Sequence, residues 1–260
     1  DPADGRHRVI PKPETKQTML ALYDDLEKAA ETVSAIIANR IIPATMEFLD
    51  QNTLKVVEDY AQIGLPTYAE AALLIEQDGP IEVVQRDMET IIRICESHKA
   101  FQVSLAKSDE EANKLTTARR SALSALSRLK PTTILEDATV PRSEIANMVR
   151  AIGDIAKKYD VTICTFGHAG DGNLHPTCLT DVRDQNEMKR VEKALIEIFE
   201  TAISLGGTIT GEHGVGAMKL PYLHLKTGEA GIEVMRNIKQ AIDPNHIMNP
   251  GKVFLTGKEK

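Results

Sequence analysis

The stretch Gln17-Thr18-Met19-Leu20-Ala21-Leu22-Tyr23 is short, mostly apolar and bounded by polar residues, and it reads as a β-strand. The pattern that continues from it decides the fold. Residues 24–40 place Leu26, Ala29, Ala30, Val33, Ile36 and Ile37 at helical spacing. Pro43 precedes a strand over 44–49, and residues 52–63 read as a shorter helix. EAALLIE at 70–76 is a strand, Asp78-Gly79-Pro80 a turn, 81–98 a helix and 100–106 a strand. That order is a split pair of β-α-β units. It predicts an α+β protein: a ferredoxin-like antiparallel sheet with flanking helices. The rival is a doubly wound parallel sheet. Against it, the strands are not uniformly apolar and no Gly-x-Gly-x-x-Gly follows a strand; Gly211-x-x-Gly214-x-Gly216 has the wrong spacing for a dinucleotide fingerprint.

Further along, the pattern predicts a long charged helix over 109–129, a strand over 132–139, and a helix from Pro141 to about residue 159. VTICTF at 161–166 is a strand that delivers a first glycine-rich loop, and 174–179 continues the sheet. A strongly amphipathic helix over 185–205 stops at Gly206-Gly207. Residues 208–210 deliver a second glycine-rich loop, and 229–242 form a final helix.

The 260 residues allow one large domain or two intimate ones, and 42% hydrophobic content is ample for a core. With 4% aromatics and no Trp, that core must rest on Ala, Ile, Leu, Val and Met. A net charge of −7 argues against nucleic acid as a partner. Cys95, Cys164 and Cys178 are odd in number and widely spaced, which disfavours a disulfide framework or a thiolate metal site and favours a reducing, cytoplasmic setting. No apolar run is long enough to cross a membrane and no signal peptide is evident. The polar start at Asp1 and the Pro11-Lys12-Pro13-Glu14 segment read as a connector or tag remnant over 1–14.

The chemistry lies in Gly167-His168-Ala169-Gly170-Asp171-Gly172-Asn173-Leu174-His175 and Gly211-Glu212-His213-Gly214-Val215-Gly216. Two imidazoles and a carboxylate suit a borderline divalent cation such as zinc or manganese, and three protein ligands leave a position open for catalysis. A remaining imidazole beside the cation is a ready proton acceptor. His168 and His175 are expected at the ends of a short hairpin, with Glu212 converging from another strand end. Asp171 is read equally as a ligand or a turn residue. The alternative for all of them is a set of polar turn residues.

GHAGDGNLH, GEHGVG and the C-terminal Met248-Asn249-Pro250-Gly251-Lys252 resemble the FAD-linked D-2-hydroxy acid dehydrogenase/oxidase family, whose members include glycolate oxidases and D-lactate dehydrogenases. The resemblance runs from the PKPE segment to Phe254. It implies an N-terminal FAD-binding domain absent from this chain, a ferredoxin-like substrate and metal domain over 15–220, and a helical segment over 221–260. It implies His168, His175 and Glu212 as metal ligands and His213 as the catalytic base at the substrate. Asn173 and Asn249 lie in motifs that face the flavin in the family. Arg119, in Leu115-Thr116-Thr117-Ala118-Arg119-Arg120, resembles the arginine that grips the substrate carboxylate, although Thr116 stands where that motif usually carries Trp. For Arg119 the alternative is a solvated helix charge or an ion pair with Glu110 or Glu111.

The implied activity is oxidation of a small 2-hydroxy acid to the 2-oxo acid by hydride transfer to FAD. Implied partners are the chain's own FAD domain and other oxidase subunits, through which it would sit peripherally at a membrane. Two other readings remain: a stand-alone metallohydrolase, or a non-catalytic ferredoxin-like assembly module. The fragment alone is expected to be nearly inert.

Overall fold

The computed structural model describes residues 11–254; expectations for the start of the 1–14 connector and for the last six residues fall outside them. The N-terminal half contains β1 (Thr15–Tyr23), α1 (Leu26–Ala38), β2 (Thr45–Asp50), α2 (Gln51–Ala61), β3 (Ala71–Gly79), α3 (Ile81–Ser97) and β4 (Gln102–Leu105). Its strands lie in the order β4-β1-β3-β2, and every neighbouring pair is antiparallel. Strands β1 and β2 are therefore parallel to each other with β3 between them. This is the split β-α-β arrangement that the spacing predicts.

Alternation along β1 explains why the stretch is almost continuously apolar. Met19, Ala21 and Tyr23 enter one core, while Leu20 and Leu22 enter a second on the opposite face of the sheet. An antiparallel sheet covered on both faces loses the polar half of its alternation. The first core packs against α1 and α3, through Val33, Ile36, Met88 and Ile91. Helix α1 starts where the Asp25 carboxylate accepts the Glu27 N–H at 2.7 Å.

The C-terminal half adds α4 (Asp109–Leu126), β5 (Thr132–Leu135), β6 (Ala138–Thr139), α5 (Ile145–Tyr159), β7 (Thr162–His168), β8 (Asn173–Thr180), α6 (Gln185–Ser204) and α7 (Leu223–Ile242). Strand β7 joins β2, and the sheet continues through β8 to β5, giving eight strands with β6 also on β8. Helices α5 and α6 extend the layer of α1 and α3 through Ile152 and Ile198, whereas α2 and α4 cover part of the other face through Leu54 and Leu126. Beyond that partial cover, β2, β7 and β8 carry the polar side chains of the site.

Three expectations are corrected. The strand expected over 132–139 is split into β5 and β6, although their pairing with β8 keeps one register (Leu135↔Thr177, Ala138↔Leu174). Pro176 sits opposite Glu136 and has no N–H to donate, so only the Glu136 N–H to Pro176 carbonyl bond, 3.0 Å, survives there. The second glycine loop is not delivered by a strand but by a single bridge, Thr139↔Thr208. The last helix begins at Leu223 and breaks at Gly228 (φ 64°, ψ 172°) before its regular part. Among the described residues no helix is long and apolar enough to cross a membrane, and the three cysteines are buried and free.

Candidate metal and base site

Strand β7 ends on His168, and the chain returns through a tight turn into β8. Gly172 closes that turn at φ 76°, and a Cβ there would lie 2.1 Å from the Val140 carbonyl oxygen, so only glycine fits. His168 faces Asn173 across the hairpin, and His175 lies within β8 opposite Phe166. His175 is therefore inside a strand rather than at a hairpin end. The second loop comes within reach because Gly211 lacks a side chain; a Cβ would meet the Thr139 hydroxyl at 2.2 Å.

The buried Asp137, between β5 and β6, anchors this second loop. Its Oδ2 accepts from the backbone N–H groups of Gly211 (2.9 Å), Glu212 (3.0 Å) and His213 (2.8 Å) and from the Thr210 hydroxyl (2.8 Å). Burial pushes the Asp137 carboxyl up, but these donors outweigh it and hold the group below the ordinary carboxylate range. The buried Lys219 ammonium stands 3.4 Å from Glu136 and 3.9 Å from Asp137.

Held this way, Glu212 Oε1 lies 3.3 Å from His175 Nε2 and 3.5 Å from His168 Nε2. Ligands about 2.0–2.2 Å from a tetrahedral zinc ion are roughly 3.3 Å apart, so the spacing suits one ion. Each imidazole is also tied from behind. His168 Nδ1 meets Glu47 Oε1 at 2.8 Å, and His175 Nδ1 meets the Glu136 carbonyl at 3.4 Å, which directs both Nε2 atoms into the site. A second trio, Asp137, His175 and His213, also gathers its donor atoms, but more loosely, with His213 Nδ1 4.0 Å from the Asp137 carboxylate. Its carboxylate Oδ2 already accepts four hydrogen bonds, whereas the Glu212 carboxylate is half exposed and accepts none among the described residues. Of the two sets, His168, His175 and Glu212 could hold a cation with the carboxylate still free to bind it.

His213 is left outside that set. Its ring stacks on His175 with centroids 5.0 Å apart, and its Nε2 lies 3.9 Å from Glu212 Oε1. Burial, then the neighbouring His213, lowers the pKa of His175, which keeps it neutral. The hydrogen bond to Glu47 raises that of His168 against the opposing effect of burial.

Arg119 reaches the site from α4, over the Phe166 ring at 5.0 Å. Its ion-pair partner is Glu47, through Nε at 2.6 Å, not Glu110 or Glu111. Arg119, Glu47 and His168, together with Thr18, Thr116 and Glu76, line a cavity of about 280 Å³. A larger cleft of about 560 Å³ opens around Asp50 and Thr165 at the far end of β7, but no imidazole lines it. Asn173 is buried, and its side-chain oxygen has no partner among the described residues. Asn249 is not part of this cluster. It lines a separate cavity of about 410 Å³ with Arg236, Lys239, His246 and Lys252.

Sequence reasoning alone missed Glu47, Asp137 and Lys219. The available signal was an acid at Glu47 inside an otherwise apolar strand, and the Glu136-Asp137 pair interrupting another.

Residues 12–253 match the family described as FAD linked oxidases, C-terminal domain. The chain is 67% identical over 253 residues to the glycolate oxidase subunit GlcD of Bacillus subtilis (strain 168), covering 97% of this chain and 54% of that protein. It is 29% identical to a D-lactate dehydrogenase of Anaerostipes hadrus, over 95% of this chain and 54% of that one. The chain thus spans about half the length of the curated relatives it matches. Among solved structures it resembles p-cresol methylhydroxylase with substrate bound (TM-score 0.71, 14% identity, 96% of this chain and 55% of the other), a likeness of fold.

Proposed function

The chain belongs to the family of FAD-linked oxidase C-terminal domains, and from that premise we propose that it is the substrate- and metal-binding part of a flavin-dependent dehydrogenase acting on a small 2-hydroxy acid of glycolate or D-lactate type. The observation that carries the proposal is the convergence of His168 Nε2, His175 Nε2 and Glu212 Oε1 with His213 beside them and unengaged. A divalent cation such as zinc or manganese, held by those three side chains, would supply the charge that lowers the proton affinity of a substrate hydroxyl. FAD, bound mainly by the remaining part of the full-length protein, would take the hydride from Cα.

The remaining work falls to the chain's own residues. His213 accepts the hydroxyl proton at Nε2, while its Nδ1 lies 4.0 Å from the buried Asp137 carboxylate. Arg119 presents its terminal guanidinium nitrogens to the substrate carboxylate while Nε stays on Glu47. Loss of the hydroxyl proton and the Cα hydride leaves the 2-oxo acid.

Asn173 and Asn249 are proposed to face the flavin. The four basic groups around Asn249 suit its anionic phosphates. Val234, Ile238 and Ile242, one exposed stripe on α7, are proposed to pack against the flavin-binding part. The division into 15–220 and 221–260 belongs to this proposal, as does a cytoplasmic location with any membrane association made through partner subunits.

The test is oxidation of glycolate and D-lactate by the full-length, flavin-loaded protein with an artificial electron acceptor. Turnover that a chelator abolishes and zinc or manganese restores is expected. Turnover indifferent to chelation would overturn the metal assignment, and hydrolysis without flavin would replace the whole reading.

A further inference from the structure

Glu47 is a buried carboxylate in the middle of an apolar strand, flanked by Met46, Phe48 and Leu49, where an acid is costly unless every oxygen is used. Both oxygens are used, and by two different elements. Oε1 takes the His168 Nδ1 hydrogen at 2.8 Å, and Oε2 takes the Arg119 Nε hydrogen at 2.6 Å. The register of β2 on β7 puts Glu47 directly opposite His168, so the first bond is built into the sheet. The second reaches across to α4.

An imidazole offers a lone pair from one nitrogen only when the other carries the proton. A carboxylate cannot donate, so Glu47 requires the proton on Nδ1 and leaves Nε2 as the lone-pair nitrogen. Arg119 Nη2, 3.5 Å from His168 Nε2, is a donor aimed at that lone pair, which agrees with the same tautomer. We propose that Glu47 is a positioning residue that with one carboxylate selects the metal-binding tautomer of His168 and fixes the guanidinium of Arg119, coupling the cation to the substrate grip. The inference rests on the proposed metal site and adds to it a residue that touches neither cation nor substrate.

Glu47→Gln isolates the effect, because the amide matches the carboxylate in shape but has only one accepting oxygen. Turned one way, its NH₂ donates to His168 Nδ1 and drives the proton onto Nε2; turned the other, it faces the Arg119 N–H. Zinc affinity of the full-length protein, measured by titration against a competing chelator, should fall roughly 10- to 100-fold in Glu47→Gln. Nitrogen-15 spectra of the zinc-free wild type at alkaline pH should place the His168 proton on Nδ1. A Glu47→Gln protein that binds zinc within about threefold of wild type on the usual scale of such outer contacts, or a wild-type proton on Nε2, overturns the proposal. The wild-type spectrum decides the matter even where the variant does not fold. A wild type that binds zinc no better than His168→Ala identifies a different failure, that of the metal site itself.

Discussion

His175 and His213 lie ring over ring, their centroids 5.0 Å apart and their planes 7° from parallel. One is buried in a strand with Nδ1 tied to a carbonyl and the other is half exposed on a loop, a division of surroundings between two adjacent imidazoles. The division predicts that His213→Ala in the full-length protein lowers turnover at saturating substrate by roughly 10²-fold or more, the usual scale for a general base, while bound metal is retained. Turnover within a few-fold of wild type would remove His213 from the role of base.

The second loop is predicted to depend on Asp137. Asp137→Ala strips the acceptor from three backbone N–H groups and leaves the buried Lys219 nearer to unpaired. Breaking a buried charged arrangement of this kind costs about 3–5 kcal/mol. Urea denaturation should show a loss in that range, and a loss under about 1 kcal/mol, the size of a surface effect, would contradict the anchoring role.

Gly172→Ala is expected to destabilise by more than the ordinary cost of about 1–3 kcal/mol for a side chain held at positive φ, because the new Cβ also meets the Val140 carbonyl. Thermal denaturation of the variant measures it. An unchanged midpoint would mean that the turn is built differently.

Much of this architecture was legible because it is local. The 17–23 run, the helical spacing of 24–40 and the two glycine segments are read within a few residues, and the strand and helix expected of the first two appear within a few positions of expectation. Glu47 was not legible, since its partners Arg119 and His168 lie 72 and 121 positions away and become neighbours only when β2 meets β7 under α4. The lapse at Glu136 was readable only with knowledge that Pro176 would face it. Arg119 was singled out from its motif, but its ion-pair partner, Glu47, came from across the fold rather than from its own helix.

Asp50 gives a pH prediction away from the site. Burial raises its carboxyl to about 6, although the Thr53 and Thr165 N–H groups bind the charged form. A folded pKa above the unfolded value of about 3.9 means the folded state binds the proton more tightly. The group's stabilisation is thus complete below pH of about 4 and is lost as pH rises through about 6. The Asp50 carboxyl carbon should titrate near 6 by NMR, and Asp50→Asn should flatten the stability profile in that window. A midpoint near the ordinary carboxylate value would contradict the assignment.

The most direct test is a crystal of the full-length, zinc-equilibrated protein examined at the metal's absorption edge. The account predicts one anomalous peak about 2.0–2.2 Å from His168 Nε2, His175 Nε2 and a Glu212 carboxylate oxygen, with His213 beside it and unbound. A peak lying elsewhere, or none at full flavin occupancy, would contradict it.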